Sequence, residues 1–124
     1  MRVILDTCVL VPAVIREMIV SIAFAGYITP LWSKRILKEW EGVFRKKNPE
    51  LFEQTKIEIV LLNHRFSNSC VEIKDSLERI LFLPDLDDRH VLAAAIEGQA
   101  DLIITQNIRD FPKRILLQFG LLAK

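Results

Sequence analysis

Apolar residues fall into two patterns along the chain. Short continuous runs at Val3 to Leu5 and Leu102 to Thr105 suit buried strands, the first closed by Asp6-Thr7 and the second stopping at Gln106-Asn107. Between them the apolar positions recur at helical spacing. Pro12 opens a helix that carries Val14, Ile15, Met18, Ile19, Ile22 and Ala23 toward the core and stops at Gly26. Ser33 is a good N-cap for a helix through Arg45, with Ile36, Leu37, Trp40 and Phe44 in register. Asn48-Pro49 breaks that segment, and another helix runs from about Pro49 to Phe66, ending at Ser67-Asn68-Ser69. Asp85 begins a helix to about Glu97 that Gly98 ends. Brief strands are expected at Tyr27 to Leu31 and Cys70 to Ile73, and the tail from Lys113 to Lys124 has room for a short helix and a last strand near Leu121.

Strands alternating with helical segments of this length predict an α/β fold, three layers deep, with helices on both faces of a mostly parallel sheet. In such sheets ligands gather beyond the carboxyl ends of the strands. Asp6 ends the first strand, Asn107 lies just past another, and Asp88 falls in the first turn of the helix leading into it.

Composition narrows the class without naming a partner. The 124 residues are 51% hydrophobic and 27% charged, and no linker or repeat divides them, so a single domain over residues 1–124 is expected. Lys plus Arg number 17 against 16 for Asp plus Glu, a net charge of +1 that leaves any electrostatic role to local patches. Two cysteines, Cys8 and Cys70, are too few for a stapled secreted scaffold and read as reduced, buried thiols. Asp6 interrupts the first apolar run and Arg16-Glu17 ends it, which argues against a signal peptide. The run from Met18 to Ile28 is well short of the roughly 20 residues a spanning helix needs. The expectation is a soluble, cytoplasmic protein without a membrane partner.

Three aspartates in LPDLDDRHVLAAA, Asp85, Asp87 and Asp88, pose the central question. As helix caps, Asp85 and Asp88 would satisfy free backbone donors, each contributing about 0.3 to 2 kcal/mol, and no active site is needed. Asp88, however, shares a helix side with Val91, Leu92, Ala95 and Ile96, the side that packs on the sheet, and so points toward the strand ends where Asp6 waits. Two anions brought together repel unless one takes a proton or a cation sits between them. Glu39 lies nearer the Ile36 and Trp40 face of its helix than the face of Lys38 and Glu41, although pairing with Arg35 or Lys38 would also account for it. TQNIRDFP adds Asn107 and Asp110 in a loop, where Asp110 would equally serve a turn.

Oxygen donors without His or Cys partners suit Mg²⁺ or Mn²⁺ rather than zinc. His64 and His90 lack metal-ligand spacing, and His90, two residues past Asp88, reads as a surface residue or as one standing behind the ligands. Neither a Ser-His-Asp order nor a glycine-rich phosphate loop is present.

The segments DTCVL, SKRILKEW, LPDLDDRHVLAAAI and ADLIITQNIRDFP occur in the order and style of the PIN-domain superfamily, which the chain resembles over essentially its whole length. The resemblance implies a parallel-sheet α/β/α fold with acids at the strand ends, and a Mg²⁺- or Mn²⁺-dependent ribonuclease of the kind that includes VapC-like toxins of toxin-antitoxin pairs. Matched by motif, Asp6 is the first acid, Glu39 the acid after the second strand and Asp88 the acid before the alanine-rich helix. The fourth position falls to Asn107, where many relatives have aspartate, or to Asp110. Cys8 stands where Asn or Ser is frequent. Lys34, Arg35, Lys38, Arg89 and Arg109 are the cations expected to meet RNA phosphates, with Lys113-Arg114 beyond them, whereas Arg45-Lys46-Lys47 reads as solvated charge. Expected partners are RNA, an antitoxin protein and a second copy of the chain. Asn107 keeps open a PIN-like module that binds RNA or protein without cutting. A phosphoacceptor domain ranks last, since its acids would come in the reverse order and no suitable lysine follows Thr105.

Overall fold

The computed structural model describes residues 1–124. Five strands form one sheet in the order β3-β2-β1-β4-β5: β1 (Arg2–Leu5), β2 (Thr29–Ser33), β3 (Cys70–Val71), β4 (Leu102–Ile104) and β5 (Leu122–Ala123). Every neighbouring pair is parallel, with Ile4 opposite Leu31 on one side and Ile103 on the other. Successive strand residues point to opposite faces, yet Val3, Ile4 and Leu5 are all at most 1% exposed, so helices cover both faces of the sheet. This is the three-layer α/β architecture expected from the alternation of elements.

Seven α-helices fill the connections: α1 (Thr7–Leu10), α2 (Ala13–Phe24), α3 (Lys34–Gly42), α4 (Pro49–Arg65), α5 (Asp75–Ile80), α6 (Arg89–Glu97) and α7 (Lys113–Leu116). Ser33 caps α3 by accepting from the Ile36 amide, and Asn48 caps α4 by accepting from Leu51. Helix α6 lies close to the sheet because Ala93, Ala94 and Ala95 are small and fully buried. At its end Gly98 keeps the packing tight, since a Cβ there would stand 3.0 Å from the Ala94 carbonyl oxygen, Leu31 Cδ1 and Val71 Cγ2 and would push them apart. No helix is long and apolar enough to cross a membrane.

Several expectations are corrected. Helix α2 turns Arg16, Ile19 and Ala23 inward, while Val14, Met18 and Ile22 face outward at 73%, 60% and 44% exposure. Its sequence is apolar nearly all round, so periodicity could not choose the face. The choice follows Arg16, whose guanidinium donates to the Leu10 and Val11 carbonyls and forks onto Glu58. Strand β2 starts at Thr29 rather than Tyr27, because Gly26 at φ +89° ends α2 and the Tyr27 amide still bonds back to Ile22. Helix α3 gives way after Gly42 to tight i to i+3 turns instead of reaching Arg45. The strand at Cys70 is two residues long, and α1 and α5 were not anticipated. The helix expected from Asp85 begins at Arg89, after a 3-10 turn over Leu86–Asp88.

Candidate active site

The strand order places β1 between β2 and β4, so the chain leaves β1 to one side first and returns on the other only after β3. Crevices at such reversals lie beyond the carboxyl ends of the strands. A cleft of about 480 Å³ opens there, and Asp6, Thr7, Cys8, Glu39, Asp88 and Asn107 are among its lining residues. Asp6, Glu39 and Asp88 therefore come from the end of β1, from α3 and from the entry to α6, and share one cavity.

Each acid is held differently. Asp6 is 7% exposed, and its Oδ1 accepts the Thr7 amide at 2.8 Å, which starts α1. Its Oδ2 accepts the Thr105 hydroxyl at 2.9 Å, and Thr105 Oγ1 in turn accepts the Asn107 amide at 3.0 Å. Cys8 Sγ accepts the Gln106 amide at 3.1 Å and lies 3.5 Å from Asp6 Oδ2. Burial first, and then the nearby Asp6, push the Cys8 thiol up despite its bonds to Thr105 and Gln106, so it stays protonated. Cys70, free and half-buried like Cys8, is also raised by burial first, with Lys34 opposing the shift and Glu72 adding to it.

Glu39 sits at the cleft edge, its side chain 43% exposed. Its Oε1 accepts the Thr7 hydroxyl at 3.0 Å and lies 3.1 Å from His90 Nε2. Burial pushes the Glu39 carboxyl up, but the contact with His90, its charge, the Thr7 hydroxyl and Arg35 together outweigh burial and hold it below the usual value. The pairing of Glu39 with Arg35 or Lys38 does not form, because Arg35 binds Glu78 instead and Lys38 makes no ion pair with it. His90 is 1% exposed, which corrects the surface alternative and leaves it behind Glu39. Its approach to Oε1 is close but poorly angled, and neither ring nitrogen has a partner in hydrogen-bond geometry.

The three neighbouring aspartates separate by role. Asp85 is the cap, accepting the Asp87 amide at 2.9 Å, whereas the Asp88 side chain caps nothing. Asp88 Oδ2 is buried without a hydrogen-bond partner. Its carboxyl is pushed up to about 6, by burial first and then by the charges of Asp6, Asp85 and Asp110, against a smaller opposing effect of His90. An anion in that position is stabilised by a proton or a cation. The donors are oxygens of carboxylates and one amide, which fits a hard divalent ion. The carboxylates line the cleft without closing on a common point, and no three His, Cys, Asp or Glu side chains stand in a metal-ligating arrangement.

Asn107 lines the cleft, while Asp110 acts on Asp88 through its charge. None of the five expected phosphate-binding cations is among the cleft lining. Lys34 and Arg35 line a separate groove of about 360 Å³ with Glu72, Asp75 and Glu78. Arg89 donates to the Leu86 carbonyl at 3.0 Å, Arg109 lines a third groove with Lys113 and Lys124, and Lys38 is exposed on α3. Sequence reasoning missed Thr7 and Thr105 as the residues that hold Glu39 and Asp6. The available signal was a threonine directly after the first acid and another at the end of the second apolar run.

A family model described as PIN domain matches residues 2–109. In the crystal structure of VapBC2 from Rickettsia felis bound to a DNA fragment from their promoter, one chain shares the fold with a TM-score of 0.62 at 22% identity, covering 100% of this chain and 98% of that one. No match is found among curated proteins.

Proposed function

Because this chain belongs to the PIN-domain family, we propose that it is a Mg²⁺- or Mn²⁺-dependent ribonuclease that hydrolyses RNA phosphodiester bonds. One observation carries the reading: Asp88 Oδ2 is buried and unpartnered in the cleft that Asp6 and Glu39 also line, with its carboxyl pushed up to about 6. Asp6, Glu39 and Asp88 would hold the cation, with the Asn107 carbonyl or the Asp110 carboxylate as a further oxygen donor. When bound, the cation supplies a Lewis acid that activates water and stabilises charge on the departing oxygen.

The chain's own residues set the geometry for this chemistry. Thr105 fixes Asp6 at the end of β1, and Thr7 ties Glu39 to the same corner. Lys34, Arg35, Lys38, Arg89 and Arg109 lie outside the cleft lining, on α3, at the start of α6 and in the loop after β4, and are assigned to RNA phosphates, contacts that bind without reading sequence. By the same reading the chain is one domain over residues 1–124 and a cytoplasmic toxin neutralised by an antitoxin protein. The VapBC2 structure, bound to a DNA fragment from their promoter, supports that context. Exposed Val14, Met18 and Ile22 on α2 support pairing of two copies.

A second reading, a PIN-like module that binds RNA or protein without cutting it, is favoured by the neutral Asn107 at the cleft. Cleavage separates the two. Purified protein should cut single-stranded RNA with Mn²⁺ or Mg²⁺, stop with EDTA, and lose activity in Asp88→Asn. RNA left intact by protein that has taken up Mn²⁺ would favour the non-cutting module, and equal cleavage by Asp88→Asn would identify a contaminant.

A further inference from the structure

His90 is the one polar side chain in the buried run from His90 to Ala95 on α6, and it is 1% exposed. Packing alone would be served by leucine at such a position. Its Nε2 instead lies 3.1 Å from Glu39 Oε1, the same oxygen that accepts the Thr7 hydroxyl at 3.0 Å. Two groups from α1 and α6 thus converge on one oxygen of a carboxylate carried by α3. Neither of them donates a hydrogen bond to Oε2, the other oxygen of a side chain that lines the cleft.

We propose that His90 is a positioning residue for Glu39: its Nε2–H and the Thr7 hydroxyl hold Oε1, so that Oε2 is presented to the cation. The role rests on the metal-dependent reading of the cleft. The approach between Nε2 and Oε1 is short but bent, and in the proposed role the pair straightens into a hydrogen bond when Glu39 takes the cation. Groups that orient a ligand from behind in this way set its rotamer before the ion arrives, and their removal weakens metal binding.

Mn²⁺ affinity, read by titration calorimetry on metal-free protein, tests this directly. His90→Leu should weaken binding by about ten- to a hundredfold. His90→Gln, which places an amide N–H near the position of Nε2, should restore most of the loss. In a Glu39→Ala background, His90→Leu should change nothing further. An unchanged affinity in His90→Leu, an equal loss in the Glu39→Ala background, or a lowered unfolding temperature in EDTA with affinity intact would each overturn the role. A wild-type protein that takes up no Mn²⁺ overturns the metal reading and this role together, whereas loss of the role alone leaves wild-type binding in place. The ¹⁵N spectrum of the imidazole gives an answer without metal: the Nε2 signal should move on Glu39→Ala, and an unmoved signal sinks the proposal.

Discussion

Thr105 Oγ1 donates a 2.9 Å hydrogen bond to Asp6 Oδ2 and so joins the carboxyl ends of β4 and β1, linking residues 99 apart in sequence across two neighbouring strands. The same hydroxyl oxygen accepts the Asn107 amide, which fixes where the loop after β4 begins. Thr105→Val keeps the shape but leaves Asp6 Oδ2 with only the weak Cys8 thiol at 3.5 Å and the Asn107 amide without its acceptor. The expected cost is about 1 to 3 kcal/mol in urea denaturation, together with weaker Mn²⁺ binding because Asp6 is no longer aimed. Thr105→Ser should retain both. A Thr105→Val protein as stable as wild type would show that Asp6 does not depend on this bond.

The Asp88 carboxyl makes the metal-free protein sensitive to pH in an unusual direction. Its folded pKa, about 6, lies above the unfolded value of 3.8, so the folded state holds the extra proton between these two values. Stability from this group is therefore highest below about pH 4 and falls as pH rises toward 6, after which the penalty is constant. The group is only partly buried, so solvent screening limits the penalty to roughly 1 kcal/mol. Asp88→Asn should match wild type near pH 4 in EDTA and exceed it at pH 7, while Mn²⁺ should raise wild type preferentially. Equal stability of the two proteins at pH 7 in EDTA would show that Asp88 is not strained by its neighbours.

The parallel sheet was legible because its strands are short apolar runs whose neighbours in space need no special residues, and Ser33, Asn48 and Gly98 announced helix boundaries that the fold keeps. Asp6 and Asp88 were legible from a strand end and from the sheet-facing side of α6, whereas Glu39 joined them through its match to the PIN-domain motif. What failed was orientation wherever apolar residues surround a helix. Val14, Met18 and Ile22 look as suited to the core as Ile19 and Ala23, and only the demand of Arg16 for carbonyls and Glu58 decides between them. For His90 the sequence left two sites open, the surface or behind the ligands, for a related reason. Spacing from Asp88 places it on another side of the helix, but that side is also buried, against Glu39 of α3, a contact between distant segments that no local pattern encodes.

Arg16 gives the clearest stability prediction away from the cleft. Its guanidinium donates to the Leu10 carbonyl at 2.6 Å and the Val11 carbonyl at 3.1 Å, forks onto Glu58 at 2.7 and 3.2 Å, and lies 5.0 Å from the centre of the Trp40 ring. The carbonyls it binds are those at the end of α1, so one cation joins α1, α2 and α4. Removing it leaves carbonyls and a carboxylate without their donor. Arg16→Met should therefore cost about 2 to 4 kcal/mol, below the limit for a fully buried pair because the Glu58 side chain is 35% exposed. Arg16→Lys should recover little, since an ammonium cannot make the fork and reach both carbonyls. Glu58→Gln should cost less than Arg16→Met, as the arginine keeps its carbonyls. Because the two side chains share one set of bonds, the double variant should lose less than the sum of the singles, with a coupling of about 1 to 3 kcal/mol. Additive losses in denaturant titrations would mean that Arg16 stabilises α2 through its carbonyl and ring contacts alone, with Glu58 a bystander.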